Sequence, residues 1–286
     1  MNSPFTVENP EKGPALKPSP IDKAYIDLLQ KCLLGKVFQD YSILSRETAW
    51  KRWVQNFVSS RGYELLKRTD PGHRQEGKDW PMNALTMIGE KRTENLRFCV
   101  EDILKNNVPG DLIETGIWRG GACILMRGIL KAYGVTNRKV WVADSFAGLP
   151  PPTSAMDKKW SNDHSADHDI LAVSLEDVQD NFARFDLLDS QVKFIKGWFK
   201  DTLHHAPIES LAVARLDGDL YDSTMDAIKA LYPKLSLGGY LIVDDYKSWE
   251  SCQKAIDEYR LEHHIGEKLV DIDVTGVFWK KENPIS

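Results

Sequence analysis

The sequence predicts an α/β fold, a doubly wound and mostly parallel sheet with an N-terminal helical cap. From residue 111 onwards, short apolar runs alternate with stretches of helical periodicity, which is typical of βαβ units. A glycine-rich segment joins the first run to its helix, and acidic residues end several of the runs. With 286 residues the chain can bury a full core, so one large domain with an appendage is expected.

The charge balance excludes some classes of partner. The formal net charge is -5, whereas a protein that coats nucleic acid normally has a basic excess, so no nucleic-acid partner is expected. The basic pairs Lys51–Arg52, Lys67–Arg68 and Lys91–Arg92 are short and are predicted to lie on solvated helix faces. No apolar run approaches the ~18–20 residues of a membrane span, so no membrane partner is expected.

The N-terminus and the cysteines predict a cytoplasmic protein. The first residues have neither a cationic start nor an apolar core, unlike a signal peptide. The cysteines, at positions 32, 99, 123 and 252, are far apart and form no CxxC pair, so reduced thiols are expected. Cys99 and Cys123 lie in apolar runs, which predicts buried free thiols.

The first 110 residues predict a tail and then a cap. Residues 1–20 contain five prolines and little that could pack, which predicts a disordered tail. Residues 21–40 place apolar side chains at helical spacing. Residues 41–80 are rich in aromatic and basic side chains, which predicts a helix followed by a loop long enough to act as a lid. A helix over 91–107 completes the predicted helical cap and lid, residues 21–110.

The predicted core occupies residues 111–286. Its last two apolar runs are separated by only a few residues, which indicates an antiparallel hairpin at the edge of the sheet. The predicted strands span 111–115, 140–144, 192–197, 211–217, 240–246, 268–273 and 276–281, and the predicted helices span about 120–133, 174–185, 223–235 and 250–263.

Two features at the start of this core indicate a cofactor that contains a nucleoside. The segment ETGIWRGG, beginning at Glu114, lets the backbone turn tightly and approach a ligand, although a structural turn that needs glycine is the simpler interpretation. The second strand ends in Asp144, followed by Ser145, Phe146 and Gly148. A carboxylate there can accept from both hydroxyls of a ribose, whereas a lone aspartate would more often cap a helix.

The two features together favour S-adenosylmethionine over NAD. The glycine spacing differs from the dinucleotide pattern GxGxxG, and Glu114 is an additional acid at the strand end. Glu114 could position either the ribose or the amine region of the methionine.

A cluster of aspartates follows two later strands. Asp217 ends the strand LAVARLD, and Asp244 and Asp245 end the next strand, so neighbouring parallel strands would bring the three together. Converging carboxylates repel one another unless a cation neutralises them, and hard oxygen ligands suit Mg²⁺. A metal lowers the pKa of a bound hydroxyl, and a nearby carboxylate can take the proton before attack on a sulfonium methyl.

Simpler interpretations apply to the neighbouring polar residues. Asp219 and Asp222, just beyond Asp217, are more readily explained as helix caps or solvated side chains. His164 and His168 lie in the long connection after the second strand, where they could assist proton removal or simply be surface residues.

Several long motifs resemble the macrocin O-methyltransferase (TylF-type) family. They are TMIGEKRTENLRFCVED, ETGIWRGGAC, VWVADSFAGLP, GWFKDTL, LAVARLDGDLYDSTMDA, LSLGGYLIVDDY and GVFWKK, and the resemblance covers roughly residues 21–281. It implies a Rossmann-like class I methyltransferase fold with a seven-stranded sheet and a C-terminal antiparallel strand. It also implies S-adenosylmethionine as cosubstrate, Mg²⁺, and a homo-oligomer that methylates sugar hydroxyls of natural products related to macrolides or aminocoumarins.

The same resemblance implies roles for individual residues. Asp217 would be metal ligand and general base, and Asp244 and Asp245 would complete the metal site; independently of the resemblance, its position in the long loop makes His164 a further catalytic candidate. Trp198 would lie near the adenine, where an aromatic face can stack. The implied cofactor contacts are Thr86, Met87, Glu114, Thr115, Gly116, Trp118, Asp144, Ser145, Phe146, Gly148, Asn181 and Trp198.

Two other functional classes remain open at this point. An NAD-dependent sugar-modifying enzyme would be expected to carry GxGxxG and a Tyr-x-x-x-Lys pair, and YDSTMDAIK lacks that spacing. A binding module that has lost catalysis would not be expected to keep all three aspartates. Trp50, Trp53, Phe57 and Tyr63 form either an apolar wall for the acceptor or the hydrophobic side of a helix.

Overall fold

The N-terminal part of the chain combines helices with a small two-stranded sheet. A computed structural model describes residues 18–43, 48–153, 157–158 and 168–284. The predicted tail, residues 1–20, lies outside these ranges except for its last three residues, where Ser19 caps the first helix. The first elements are α1 (Pro20–Leu33), β1 (Tyr41–Ile43), α2 (Ala49–Ser59), β2 (Leu66–Arg68), α3 (Pro71–Glu76) and α4 (Gly89–Lys105).

The predicted lid, residues 41–80, contains more regular structure than a helix and a loop. Its helix is α2, but β1 and β2 pair antiparallel on either side of it, and α3 follows. Strands of three residues are too short to show an alternating pattern, so periodicity did not reveal them. The buried guanidinium of Arg74 joins this segment together, with Nη1 2.9 Å from Asp40 Oδ2 and Nη2 2.7 Å from Asp79 Oδ2.

The predicted doubly wound sheet is confirmed. It runs in the order β5–β4–β3–β6–β7–β9–β8, in which β3 to β7 are parallel and β9 is antiparallel to both β7 and β8. The order reverses at β3, and such sheets bind ligands outside the carboxyl ends of the strands at this point. The strands are β3 (Asp111–Thr115), β4 (Val140–Asp144), β5 (Val192–Lys196), β6 (Leu211–Leu216), β7 (Leu235–Val243), β8 (Val270–Asp271) and β9 (Val277–Lys280).

Helices on both faces of the sheet create two apolar clusters. The first contains Ile26 of α1, Leu96 of α4 and Leu112 of β3, so the cap and the sheet share one core. The second contains Ile113 of β3 and Trp279 of β9. The remaining helices are α5 (Gly121–Ala132), α6 (His168–Leu171), α7 (Leu175–Ala183), α8 (Phe199–Thr202), α9 (Tyr221–Leu231) and α10 (Glu250–Glu262).

Details of the core agree with most of the sequence-based predictions. The last two strands form the expected antiparallel hairpin at the edge, whereas β7 begins at Leu235, earlier than the predicted residue 240. Cys99 and Cys123 are buried free thiols, as predicted. Among the described residues, no helix is long and apolar enough to cross a membrane.

The central strand gives a test of this packing. Leu112 is completely buried in β3, so we expect Leu112→Ala to lower the free energy of unfolding by about 2–5 kcal/mol through lost burial and an unfilled cavity. Leu261→Ala is the control, because Leu261 is 79% exposed and should change stability by no more than about 0.5 kcal/mol. Chemical denaturation measures both values, and equal losses would contradict this account of the core.

Candidate active site

A cavity of about 970 Å³ lies at the carboxyl ends of β3, β4, β6 and β7, where the strand order reverses. Most of the residues predicted to bind cofactor or metal line its wall. They are Thr86, Met87, Glu114, Gly116, Trp118, Asp144, Ser145, Gly148, Trp198, Asp217, Asp244 and Asp245.

Three predicted site residues in the described part of the chain are not found on this wall. Thr115 is completely buried within β3. Phe146 is buried in the core, where its ring centroid lies 6.5 Å from that of Phe194. Asn181 is buried in α7, where its side-chain amide donates to the carbonyl oxygen of Arg119 at 3.1 Å. It therefore supports the turn after β3 instead of lining the cavity. His164 lies outside the described residues.

The backbone of the turn between β3 and α5 passes very close to the residue that follows β6. Gly116 has a φ of +79°, and a Cβ atom there would lie 1.7 Å from the carbonyl oxygen of Asp217, so this close approach requires glycine. Trp118 also has a positive φ, and its indole N–H donates to the carbonyl oxygen of Ile170 at 2.9 Å.

Asp144 is held in place by backbone donors. Its Oδ2 accepts from the N–H of Ile117 and its Oδ1 from the N–H of Phe146, each at 2.8 Å. Burial raises the pKa of Asp144, although these N–H donors act in the opposite direction. Oδ1 also lies within hydrogen-bond distance of the Ser145 hydroxyl, whereas Oδ2 keeps a second lone pair that could accept from a ribose hydroxyl in the cavity.

The three predicted metal ligands converge. Asp217, Asp244 and Asp245 each offer one carboxylate oxygen, and these atoms lie within 4.8 Å of one another. Asp245 Oδ2 is buried and has no hydrogen-bond partner within the described part of the chain. Burial, together with the neighbouring carboxylates, raises the pKa of Asp245 well above its usual range. A set of hard oxygen donors with one atom unpartnered fits Mg²⁺.

Asp219 differs from its sequence-based interpretation as a helix cap. The residue that caps α9 is Leu220, whereas Asp219 lines the cavity and its backbone has a φ of +55°. Burial and the charge of Asp217 raise the pKa of Asp219 to about 7. A fourth carboxylate therefore lies beside the three-aspartate cluster.

Arg215 connects the carboxylates of three strands, and it was not predicted from the sequence. Its Nη1 lies 2.5 Å from Glu114 Oε1 and 2.8 Å from Asp217 Oδ2, and its Nη2 donates to Asp244. Burial alone would lower the pKa of Arg215, but the three carboxylates raise it well above its usual value. An arginine within the apolar run LAVARL was the available signal, because a buried charge needs partners.

The carboxylate of Glu114 is engaged mainly by protein partners, although the residue was predicted to contact the cofactor. Its side chain is almost completely buried. Oε1 accepts a hydrogen bond from Arg215, and Oε2 accepts from the thiol of Cys123 at 3.0 Å. Burial raises the pKa of Glu114 to about 7, although the charge of Arg215 lowers it.

Arg92 contradicts the prediction that Lys91–Arg92 lies on a solvated helix face. Its side chain is only 5% exposed, and its guanidinium donates to the carboxylate of Asp244. The helical cap therefore contributes a cation, Arg92, to the aspartate cluster. Arg215 of β6 contacts the same cluster through Asp244.

Of the two interpretations left open for the aromatic residues of 50–63, the structure favours the side of a helix over an acceptor wall. Trp50, Trp53 and Phe57 of α2, together with Tyr63, do not line the cavity, and between 47% and 71% of each is exposed. The first three form the apolar side of α2, which faces outwards, and Tyr63 follows the end of that helix. Trp80, Trp249 and Pro150–Pro152 form the apolar lining instead.

The buried ion network predicts a large effect of one substitution. Arg215→Met should lower the free energy of unfolding by about 3–5 kcal/mol, because it leaves Glu114 buried without its cationic partner. Arg97→Met is the control, because Arg97 pairs with partly exposed carboxylates and should cost about 1 kcal/mol or less. A denaturation series in which the two variants lose equal stability would refute this role of Arg215.

Comparison with known proteins gives extensive matches. The model of the macrocin O-methyltransferase (TylF) family matches residues 22–281. A demethyldecarbamoylnovobiocin O-methyltransferase from Streptomyces niveus is 50% identical over 264 residues, which cover 90% of this chain and 93% of that protein. An 8-demethyl-8-(2,3-dimethoxy-alpha-L-rhamnosyl)-tetracenomycin-C 4'-O-methyltransferase from Streptomyces olivaceus is 47% identical over 260 residues, 90% of this chain and 92% of that protein.

A solved structure agrees with these matches. The structure of the O-methyltransferase NovP superposes with a TM-score of 0.81 at 50% sequence identity. The alignment covers 92% of this chain and 100% of that one.

Proposed function

Because this chain belongs to the macrocin O-methyltransferase (TylF) family and is therefore an O-methyltransferase, we propose that it methylates a sugar hydroxyl of a glycosylated natural product. Membership implies S-adenosylmethionine as the cosubstrate, and the superposition confirms the expected methyltransferase fold. One observation carries the proposal: a strand-end acid suited to a ribose and a three-aspartate cluster line the same cavity.

The acceptor class follows from the relatives and from the lining of the cavity. One relative is named for a rhamnosyl group on tetracenomycin C and another for a novobiocin precursor. The cavity, about 970 Å³, is near the upper limit for a single-ligand pocket, which supports room for two substrates. Trp80 and Trp249 offer apolar faces to the acceptor, while the aspartates offer polar contacts to its hydroxyls.

The three aspartates would hold Mg²⁺, which when bound lowers the pKa of a hydroxyl and so favours its attack on a methyl group. Asp217, Asp244 and Asp245 would supply the oxygen ligands, and Arg215 contacts two of them, Asp217 and Asp244. Asp144 and the turn after β3 would hold the cosubstrate, and methyl transfer requires mainly that acceptor and methyl donor are positioned relative to each other.

The contacts support a refinement of the base assignment. The sequence-based prediction gave Asp217 both the ligand role and the base role. Asp217 Oδ2 already accepts from Arg215, and Asp217 also contributes an oxygen to the cluster. Asp219 lines the cavity outside that ligand set. We therefore favour Asp219 as the group that accepts the hydroxyl proton, with Asp217 as the alternative.

Ligand binding distinguishes this function from the NAD-dependent alternative. We expect S-adenosylmethionine, and not NAD, to bind in isothermal titration. Asp144→Ala should weaken that binding about 10-fold or more, because it removes a charged hydrogen-bond acceptor from the cavity. Asp180→Ala is the control, since Asp180 is exposed on α7. Binding of NAD in preference to S-adenosylmethionine would overturn the assignment.

The metal requirement is tested by activity. With a panel of sugar-bearing macrolide, aminocoumarin and aromatic polyketide acceptors, S-adenosylhomocysteine formation should need Mg²⁺ and stop with a chelator. Asp244→Asn and Asp245→Asn should each reduce the rate on the order of 100-fold, whereas Asp180→Asn should not. Full activity of both cluster variants in chelator would exclude a metal at this site.

Comparison of two further variants separates the ligand role from the base role. Asp219→Asn should lower the rate about 100-fold or more but weaken Mg²⁺ binding less than the loss of a ligand does, because Asp219 lies beside the ligand set and not in it. Asp217→Asn should weaken Mg²⁺ binding more strongly. If Asp219→Asn retains the full rate, the proton acceptor is Asp217 or solvent.

A further inference from the structure

Arg92 is a buried cation that the proposed reaction does not use. It lies in α4, outside the strand ends that form the cluster, and its side chain reaches across to the end of β7. Its Nη1 donates to Asp244 Oδ2, while Arg215 Nη2 donates to Asp244 Oδ1. Both oxygens of Asp244 are therefore held by guanidinium groups that come from different parts of the chain.

A second carboxylate forms an ion pair with Arg92 from another direction, without hydrogen-bond geometry between the two atoms. Arg92 Nε lies 3.1 Å from Asp273 Oδ2, in the turn between β8 and β9. Asp273 is itself held, because its Oδ1 accepts from the N–H of Thr275 at 2.9 Å and the N–H of Gly276 at 2.8 Å. Asp273 therefore adds a buried charge contact to Arg92, whose hydrogen bonds run to Asp244 and to the lid carbonyls.

The third contact of Arg92 is with the end of α3, in the predicted lid. Its Nη2 donates to the carbonyl oxygens of Glu76 and Gly77 at 3.3 and 3.4 Å. Gly77 has a φ of +64°, and a Cβ atom there would lie 2.3 Å from Arg92 Nη2, so only glycine allows this approach. One guanidinium thus contacts the lid segment, the edge hairpin and Asp244.

We propose that Arg92 is a positioning residue that holds Asp244 in the orientation required for Mg²⁺, so that a residue of the cap supports metal binding at the strand ends. The inference rests on the proposed function, since it assumes that Asp244 is a metal ligand. Mg²⁺ demands near-octahedral geometry, and groups that orient its ligands typically change metal affinity 10–100-fold. Each oxygen of Asp244 has two lone pairs, so a guanidinium contact leaves one for a metal.

A positive charge beside a cation site also repels the cation, and the two effects must be separated. Arg92 and Asp273 carry opposite charges at 3.1 Å, so replacing both by neutral residues leaves the net charge of the pair unchanged. The double variant Arg92→Gln/Asp273→Asn therefore removes the positioning contact without adding or removing net charge near the metal.

The chain offers a matched control on the same helix. Arg97 and Glu101 form an ion pair in which Arg97 Nε also lies 3.1 Å from the carboxylate. The double variant Arg97→Gln/Glu101→Gln removes the same kinds of charge from α4, and neither residue lines the cavity.

The experiment is isothermal titration of Mg²⁺ into the full chain saturated with S-adenosylhomocysteine, with thermal melting as a check on folding. The Arg92→Gln/Asp273→Asn variant should bind Mg²⁺ about 10-fold or more weakly than wild type. The Arg97→Gln/Glu101→Gln variant should bind it as wild type does. Affinity for S-adenosylhomocysteine should be unchanged in both.

Arg92→Lys provides a second test if the double variant does not fold. Lysine keeps the charge but cannot span Asp244, Asp273 and the lid carbonyls at once, so Mg²⁺ binding should again weaken. Wild-type or tighter Mg²⁺ affinity in a folded Arg92 variant would overturn the positioning role alone. Absence of Mg²⁺ binding to the wild-type chain would overturn the proposed metal site and this inference with it.

Discussion

The site depends on one buried cation, the guanidinium of Arg215. It contacts Glu114 of β3, Asp217 at the end of β6 and Asp244 at the end of β7, so a single side chain joins three adjacent strands. Without such a cation, these carboxylates would repel one another in a region from which water is largely excluded. The same contacts give the aspartates fixed orientations, which a metal with strict geometry requires.

The backbone around the cavity is held in unusual conformations. Trp118, Phe146 and Asp219 follow β3, β4 and β6 respectively, and each has a positive φ although it is not glycine. Such conformations persist only where the surroundings determine them strongly, and they often occur at functional sites. Hydrogen bonds hold two of these conformations. The indole N–H of Trp118 donates to the carbonyl oxygen of Ile170, and the N–H of Phe146 donates to the carboxylate of Asp144.

Much of the fold and of the site followed from local patterns in the sequence. The alternation after residue 111 predicted the parallel sheet, and strand-end positions predicted the convergence of Asp217, Asp244 and Asp245. Arg92 was missed because the pair Lys91–Arg92 was interpreted by its charge alone, although Arg92 lies four residues before Leu96 and seven before Cys99, on the apolar side of α4. Phe146 and Asn181 were expected at the cavity but lie behind it, since motif membership does not specify side-chain direction.

The central claim is that the three aspartates bind a metal beside the cosubstrate. A crystal grown with S-adenosylhomocysteine and Mn²⁺, in place of Mg²⁺, tests it by anomalous scattering. We predict one strong peak about 2.1–2.3 Å from oxygens of Asp217, Asp244 and Asp245, with the ribose hydroxyls on Asp144. A cosubstrate bound at Asp144 with no anomalous peak at the aspartates would contradict the account.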